Sequence, residues 1–487
     1  MAAGAGALVL ASACSPRPAT ETRAESTAPR NVVLVVLDSV RADHVGAYGY
    51  TRATTPHLDA LAAQGLLFER AYAASSFGPQ ALAALWTGRL PTRGGSIGTE
   101  ARPHPELVTL PRLFRRAGFR TALVSNHAAL RERAFTRGFD EIEIDSVPGR
   151  WSGALVTKKA LDLLDGAKRE RLFLVLDFAD AGEPHQPPEE FRRRIDVPAP
   201  EQPLTLQALR AEAGSLPEGI ERSAGFQDLV ARYDAEIAYA DECLGQLVTG
   251  LAVRGLLDDT LLVVTASHGK ELLEHDYVGS GWTLHEEVLR VPLVVCAPKR
   301  LASGRIAEPV SLVDLWPSLQ QLFAPASRDL ALDGRTLFDL VGPGLVPRVP
   351  TGEVLAELVL PELTILRASI RGSEKLVEVI QWAPPGERAA LLASYEERLT
   401  RVQHGEMPRT EPRGPVQRRE LYDLAADPHE LCNLAGSALD RLATLAMLLE
   451  RYAQNCRESG LMPDEIERQL EPVEAPELGE LQQIGYL

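Results

Sequence analysis

The sequence predicts an α/β fold: a large, mostly parallel central sheet flanked by helices, then a smaller C-terminal subdomain on a short antiparallel sheet. Apolar, β-branched runs such as Asn31-Val-Val-Leu-Val-Val-Leu37 recur over residues 31–345 and alternate with helical segments. Continuous runs of this kind suit strands buried on both faces of a parallel sheet. From about residue 345 the texture changes to short strands and turns with one late helix. Over 487 residues, 45% hydrophobic and 24% charged, the chain can bury a large core, which excludes a disordered chain, a collagen-like repeat and a coiled-coil rod.

The elements follow in order. Asn31–Leu37 reads as the first strand and Asp38 ends it. Thr55 supplies an N-cap and Pro56 the first helical position; His57–Gln64 carry the helix, which Gly65 stops. Leu66, Phe68 and Tyr72 point to a short strand, residues 108–118 to a helix closed by Gly118. Thr121–Val124 and Arg171–Leu176 read as strands, residues 228–250 as a long amphipathic helix, Asp259–Val264 and Arg290–Cys296 as further strands. In the subdomain of residues 346–487, Glu353–Glu357, Leu366–Arg371, Lys375–Ile380 and Glu420–Asp423 are strand candidates, and residues 438–454 a helix. Residues 401–420 are basic but rich in Gly and Pro, and read as a loop.

A formal charge of -16 argues against nucleic acid as a partner. The five cysteines form no CxxC pair and no zinc-like cluster. Cys296 lies in an apolar strand and is expected to stay a free thiol; export would allow pairing among Cys243, Cys296, Cys432 and Cys456. The run MAAGAGALVLASA before Cys14 resembles the end of a bacterial export signal with a lipobox. That predicts an exported, periplasmic or outer-surface lipoprotein anchored through Cys14, with residues 15–30 as a polar tether. The alternative is a cytoplasmic protein with an Ala-rich N-terminus.

In doubly wound folds, strand ends gather around one crevice. Asp38 sits past the first strand and His268 past Val263-Val-Thr-Ala266. A carboxylate and an imidazole so placed can share a divalent metal; the plainer readings are a helix cap and a satisfied histidine. Two ligands alone do not hold a metal tightly.

Longer motifs add a resemblance. Val35-Val-Leu-Asp-Ser-Val-Arg-Ala-Asp-His-Val-Gly-Ala-Tyr-Gly-Tyr50, Thr54-Thr-Pro-His-Leu-Asp-Ala-Leu61, Leu85-Trp-Thr-Gly-Arg-Leu-Pro91, His268-Gly-Lys-Glu271, Glu286-Glu-Val-Leu-Arg-Val-Pro292 and Val313-Asp-Leu-Trp-Pro317 stand in one order. Together they resemble the sulfatase family, within the alkaline-phosphatase-like superfamily. The resemblance implies hydrolysis of sulfate, phosphate or phosphonate esters. It also implies a divalent cation (Ca, Mn or Zn) and a nucleophile at the start of a helix, where free N–H groups favour an anion.

Residue by residue, that pattern is incomplete here. Asp38 matches the first metal carboxylate, followed by Ser39. Counting back from Thr87-Gly88 puts the nucleophile at Gly78, and counting from Pro79 puts it at Phe77; the CxPSR pattern is absent. Ser75 and Ser76 are nearby hydroxyls that read as turn or cap residues. Ser267 stands where the resemblance implies a second carboxylate, Ser280 and Asp177 where histidines are usual, and Asn126 where a lysine is. His185 and His275 survive as remnants of the catalytic set, and Asp38 with His268 as a remnant metal site. The expectation is a sulfatase-like protein with a degraded ester-hydrolase site, its divalent cation weakly bound or absent, which binds an anionic ester, a glycan-like ligand or a protein partner. The alternative is a divergent metal-dependent hydrolase that uses Asp38, His268, His185 and Asp177 around a bound water.

Overall fold

The computed structural model describes residues 28–458, apart from 97, 99–100, 146–151, 167–169, 183–184, 196–223, 276, 326–331, 342–343, 349–351, 361–363 and 382–415. Cys14 and most of the tether therefore lie outside the described residues. Ala28, assigned to the tether, is buried in the core and so belongs to the folded body.

The main elements are β1 (Asn31–Leu37), α1 (Pro56–Gln64), β2 (Leu66–Phe68), α2 (Gly78–Thr87), α3 (Leu110–Arg116), β3 (Arg120–Ser125), β4 (Glu141–Ile144) and α4 (Gly153–Gly166). They continue with β5 (Leu172–Phe178), α5 (Ala224–Val253), β6 (Thr260–Thr265), β7 (Leu293–Cys296), β8 (Gly304–Ile306) and α6 (Leu315–Phe323). The C-terminal part holds β9 (Glu353–Val359), β10 (Thr364–Arg371), β11 (Glu374–Gln381), β12 (Val416–Asp423) and α7 (Leu439–Glu458). The central sheet has eight strands in the order β8-β2-β7-β6-β1-β5-β3-β4. From β6 to β4 every neighbouring pair is parallel, while β7 runs antiparallel to both β6 and β2.

Strand β1 lies mid-sheet with all seven residues buried, as its unbroken apolar run requires. Its register brings Val36 opposite both Asp177 and Thr265, and Asp177 opposite Ser125. The C-terminal ends of β1, β3, β5 and β6 therefore finish level, and the residues just beyond them share one crevice.

Three local expectations are corrected. Arg290–Cys296 is two strands, because Pro292 has no N–H to continue a ladder. Arg290–Val291 pairs with Ala71–Tyr72, and Leu293–Cys296 joins the central sheet. Residues 416–420, read as loop, begin β12. Thr55 stands at the N-cap position of α1 and Pro56 opens the helix, as expected, but the Thr55 side chain makes no cap bond; its hydroxyl donates to Asp59 Oδ1 at 3.1 Å. The cap is the buried carboxylate of Asp241 on α5, which accepts from His57 N at 2.9 Å and Leu58 N at 2.8 Å. A cap from a distant helix ties α1 to α5 as well as satisfying its free N–H groups. Asp241→Ala is expected to lower stability by about 1–2 kcal/mol. The urea midpoint should fall with the denaturant slope unchanged; Asp241→Asn should recover only part of the loss, since its single amide oxygen can accept from only one of the two N–H groups.

Strands β9–β12 form one antiparallel sheet, and α7 packs on it through Leu445 and Leu449 against Leu376 and Leu421. Glu357 of β9 anchors this sheet to the main body. It accepts from Thr92 N at 3.0 Å, Thr92 Oγ1 at 2.6 Å and Arg367 Nε at 2.8 Å. Among the described residues, Cys243, Cys296 and Cys432 are free thiols, and no helix is long and apolar enough to cross a membrane.

Candidate functional site

Asp38 is fully buried at the end of β1. Its Oδ2 accepts from Ser39 Oγ at 3.1 Å, and its Oδ1 accepts from Ser267 Oγ. Ser39 has φ +62°, a costly conformation for a residue with a Cβ. Tyr233 of α5 holds it there: its hydroxyl donates to Ser39 O at 2.6 Å and accepts from Arg41 N at 2.9 Å. The chain thus turns sharply after β1 and aims Asp38 into the crevice.

His268, beyond β6, is also fully buried. Its Nδ1 is 2.7 Å from Gly269 O, so that nitrogen carries the proton. Burial lowers its pKa, which keeps the ring neutral. The Nε2 lone pair then faces Asp38 Oδ1 at 3.6 Å and has no hydrogen-bond partner. Two buried acceptors facing one another fit a cation between them. The donor set is nevertheless thin: one carboxylate, one imidazole and the Ser39 and Ser267 hydroxyls. Calcium takes six to eight oxygens, several of them anionic. Among the described residues, no third His, Cys, Asp or Glu donor converges with this pair. The residues do not fit a tightly held divalent ion.

A second buried pair lies beside the first. Asp177 at the end of β5 accepts from Ser125 Oγ at 3.2 Å, with His127 Nδ1 at 3.1 Å. Burial works against a charged His127, but the charges of Asp177 and Asp38 outweigh it and push its pKa up to about 9. Sequence reading missed His127. Its signal was position: it lies two residues past a buried strand, as Asp38 lies one and His268 three residues past theirs.

Helix α2 starts at Gly78, with Phe77 before it. Ser75 Oγ donates to Gln80 Oε1 at 3.1 Å and accepts from Phe77 N at 3.3 Å, so it serves the turn. Ser76 Oγ is buried without a partner. A Cβ on Gly281 would meet the Phe77 ring at 3.2 Å, so Phe77 packs against the segment that follows Ser280.

The sulfatase family model matches residues 30–325. The chain belongs to the sulfatase family. It is 26% identical over 495 residues to human N-sulphoglucosamine sulphohydrolase, covering 91% of this chain and 95% of the relative. It is 27% identical to mouse steryl-sulfatase over 64% of its length, and spans 65% of that relative. Its fold is similar to the phosphonate monoester hydrolase of Agrobacterium radiobacter, with a TM-score of 0.65 at 21% identity, covering 88% of this chain and 96% of that one. A structure in complex with its substrate D-glucosamine-2-N,6-O-disulfate gives a TM-score of 0.68 at 18% identity, covering 90% and 99%.

In this sulfatase-family chain His185 and His275 are engaged away from the Asp38–His268 pair. His185 Nδ1 is 2.5 Å from Glu236 Oε2, and its Nε2 accepts from Lys270 Nζ at 3.2 Å. Burial and the Lys270 charge hold it well below the usual histidine range, so it is neutral. His275 groups with His285 and Glu287. Asn126 spans the strand-end turn, its Oδ1 accepting from Ala179 N at 2.8 Å and its Nδ2 donating to Asp180 Oδ2 at 3.0 Å.

Proposed function

We propose that this sulfatase-family protein has lost ester hydrolysis through the family nucleophile, and that its crevice binds an anionic ester or glycan-like ligand. The observation that carries this reading is the start of α2, where Gly78 and Phe77 offer no attacking atom. A nucleophile displaced by even one ångström forfeits most of its advantage, and the neighbouring Ser75 is committed to the turn. The Ser267 hydroxyl on Asp38 supports it further, because a neutral group there leaves a divalent cation weakly bound or absent. The ligand class is drawn from the relatives named above, which act on sulfated or phosphonate substrates by their names. The Cys14 lipid anchor and a location outside the cytoplasm belong to the same proposal, resting on the residues before Cys14.

The test is turnover of aryl sulfate, phosphate and phosphonate esters with calcium, manganese or zinc. Wild type, Asp38→Ala and His268→Ala are expected to share one background rate. Metal-dependent turnover that vanishes in both variants would sink the proposal. A second reading, a divergent metal-dependent hydrolase, is favoured by the unpartnered buried hydroxyl of Ser76; turnover lost in Ser76→Ala would support it.

A further inference from the structure

We infer that His275, His285 and Glu287 form a site for a zinc-class divalent ion, separate from the Asp38–His268 pair. Among the described residues, theirs is the set of three His, Cys, Asp or Glu donor atoms that lie within 4.8 Å of one another. His275 comes from the loop between the paired strands Glu271–Leu272 and Val278–Gly279. His285 and Glu287 flank the start of the helical turn Glu286–Leu289.

The donor atoms lie close enough together to gather around such an ion once the His285 ring turns. Glu287 Oε1 lies 2.6 Å from His275 Nδ1 and 4.0 Å from His285 Nδ1. The 2.6 Å contact is a hydrogen bond between His275 Nδ1 and Glu287, which an ion would replace, moving the ligand atoms toward the roughly 3.3 Å separation of donors on zinc at about 2.0–2.1 Å. Each imidazole also turns its far nitrogen to an acceptor on the C-terminal subdomain. His275 Nε2 is 3.4 Å from Glu430 O, and His285 Nε2 is 3.5 Å from Glu420 Oε2. Metal-bound histidines characteristically donate their second N–H to a carbonyl or carboxylate, which aims the other nitrogen's lone pair at the metal.

One atom demands an explanation. His285 Nδ1 is buried and has no hydrogen-bond partner, and its Nε2 faces Glu420. With Nε2–H directed at Glu420, the lone pair is on Nδ1, buried 4.0 Å from Glu287 Oε1 with nothing to accept from, an arrangement a cation would relieve. The rings stack at 3.7 Å and 17°, so ligation requires the His285 ring to turn about its Cβ–Cγ bond. Two histidines and one glutamate supply three ligands and leave a fourth position for water or another donor. The ion would link the body to the C-terminal part of the chain, through Glu420 of β12 and Glu430 in the loop that follows it.

Full-length protein is stripped with a chelator, equilibrated with zinc and assayed for metal per chain. One tightly held zinc is expected, with affinity falling at least about tenfold in His285→Ala and in Glu287→Gln, and an unchanged value in Asp38→Ala. Cobalt substitution should give visible absorption in wild type that Glu287→Gln removes; this isosteric variant covers the case in which His285→Ala does not fold. No retained metal in wild type overturns the inference, as does retention that follows Asp38 and not His285 and Glu287.

Discussion

Glu271→Gln is expected to stabilise the protein relative to wild type by about 3–4 kcal/mol more at pH 8 than at pH 5. Glu271 is fully buried: its Oε1 accepts from Thr283 Oγ1 at 2.5 Å, while its Oε2 has no hydrogen-bond partner. Burial pushes its pKa from 4.5 up to about 8, although the Thr283 hydrogen bond works the other way. The folded state therefore holds a proton between those two values that the unfolded chain has released. A group whose acid is favoured by folding contributes less stability as pH rises, so wild type loses ground from about pH 4.5 to about 8. Glutamine copies the neutral acid and cannot ionise, which removes the loss. Urea midpoints of both proteins at the two pH values decide the matter. An equal difference at pH 5 and pH 8 would show that Glu271 is not a buried neutral acid.

Ser267→Asp is expected to make stability depend on calcium. The Ser267 hydroxyl donates to Asp38 Oδ1, so an aspartate there faces a second buried carboxylate. Without a cation, an uncompensated buried charge costs about 3–5 kcal/mol, or one of the pair stays protonated. With calcium the two carboxylates and His268 become a better donor set. At a hundredfold excess of ion over its Kd, binding contributes about 2.7 kcal/mol. Thermal melts should show the variant well below wild type in chelator and recovering as calcium is added, while wild type responds little. If the variant ignores calcium, Asp38 and His268 do not mark a cation position and the reading of this crevice fails.

Much of the architecture was legible because long-range order here follows local pattern. A run such as Asn31–Leu37 can only be buried on both faces, and strands alternating with helices constrain the sheet to be largely parallel. Breaks were legible where they had a local cause and were read for it. Gly65 stops α1 as expected, whereas the effect of Pro292 was overlooked. The cap of α1 could not be read, since Asp241 lies 183 residues from Leu58 in the chain.

The site divides in the same way. The losses proposed for it rest on local readings: Gly78 has no side chain to attack with, and Ser267 has no charge to bring to a dication. The sequence by itself therefore determined the fold class and the placing of Asp38 and His268 at strand ends, and it is the basis of the proposed loss of the nucleophile. Only the tertiary structure decided the partners: His127 with Asp177, His185 with Glu236 and Lys270, and His275 with His285 and Glu287. Strand register and a subdomain contact set these pairings. Hydrogen bonds and charges act over a few ångströms, so they depend on which side chains meet in space, which spacing along the chain does not record.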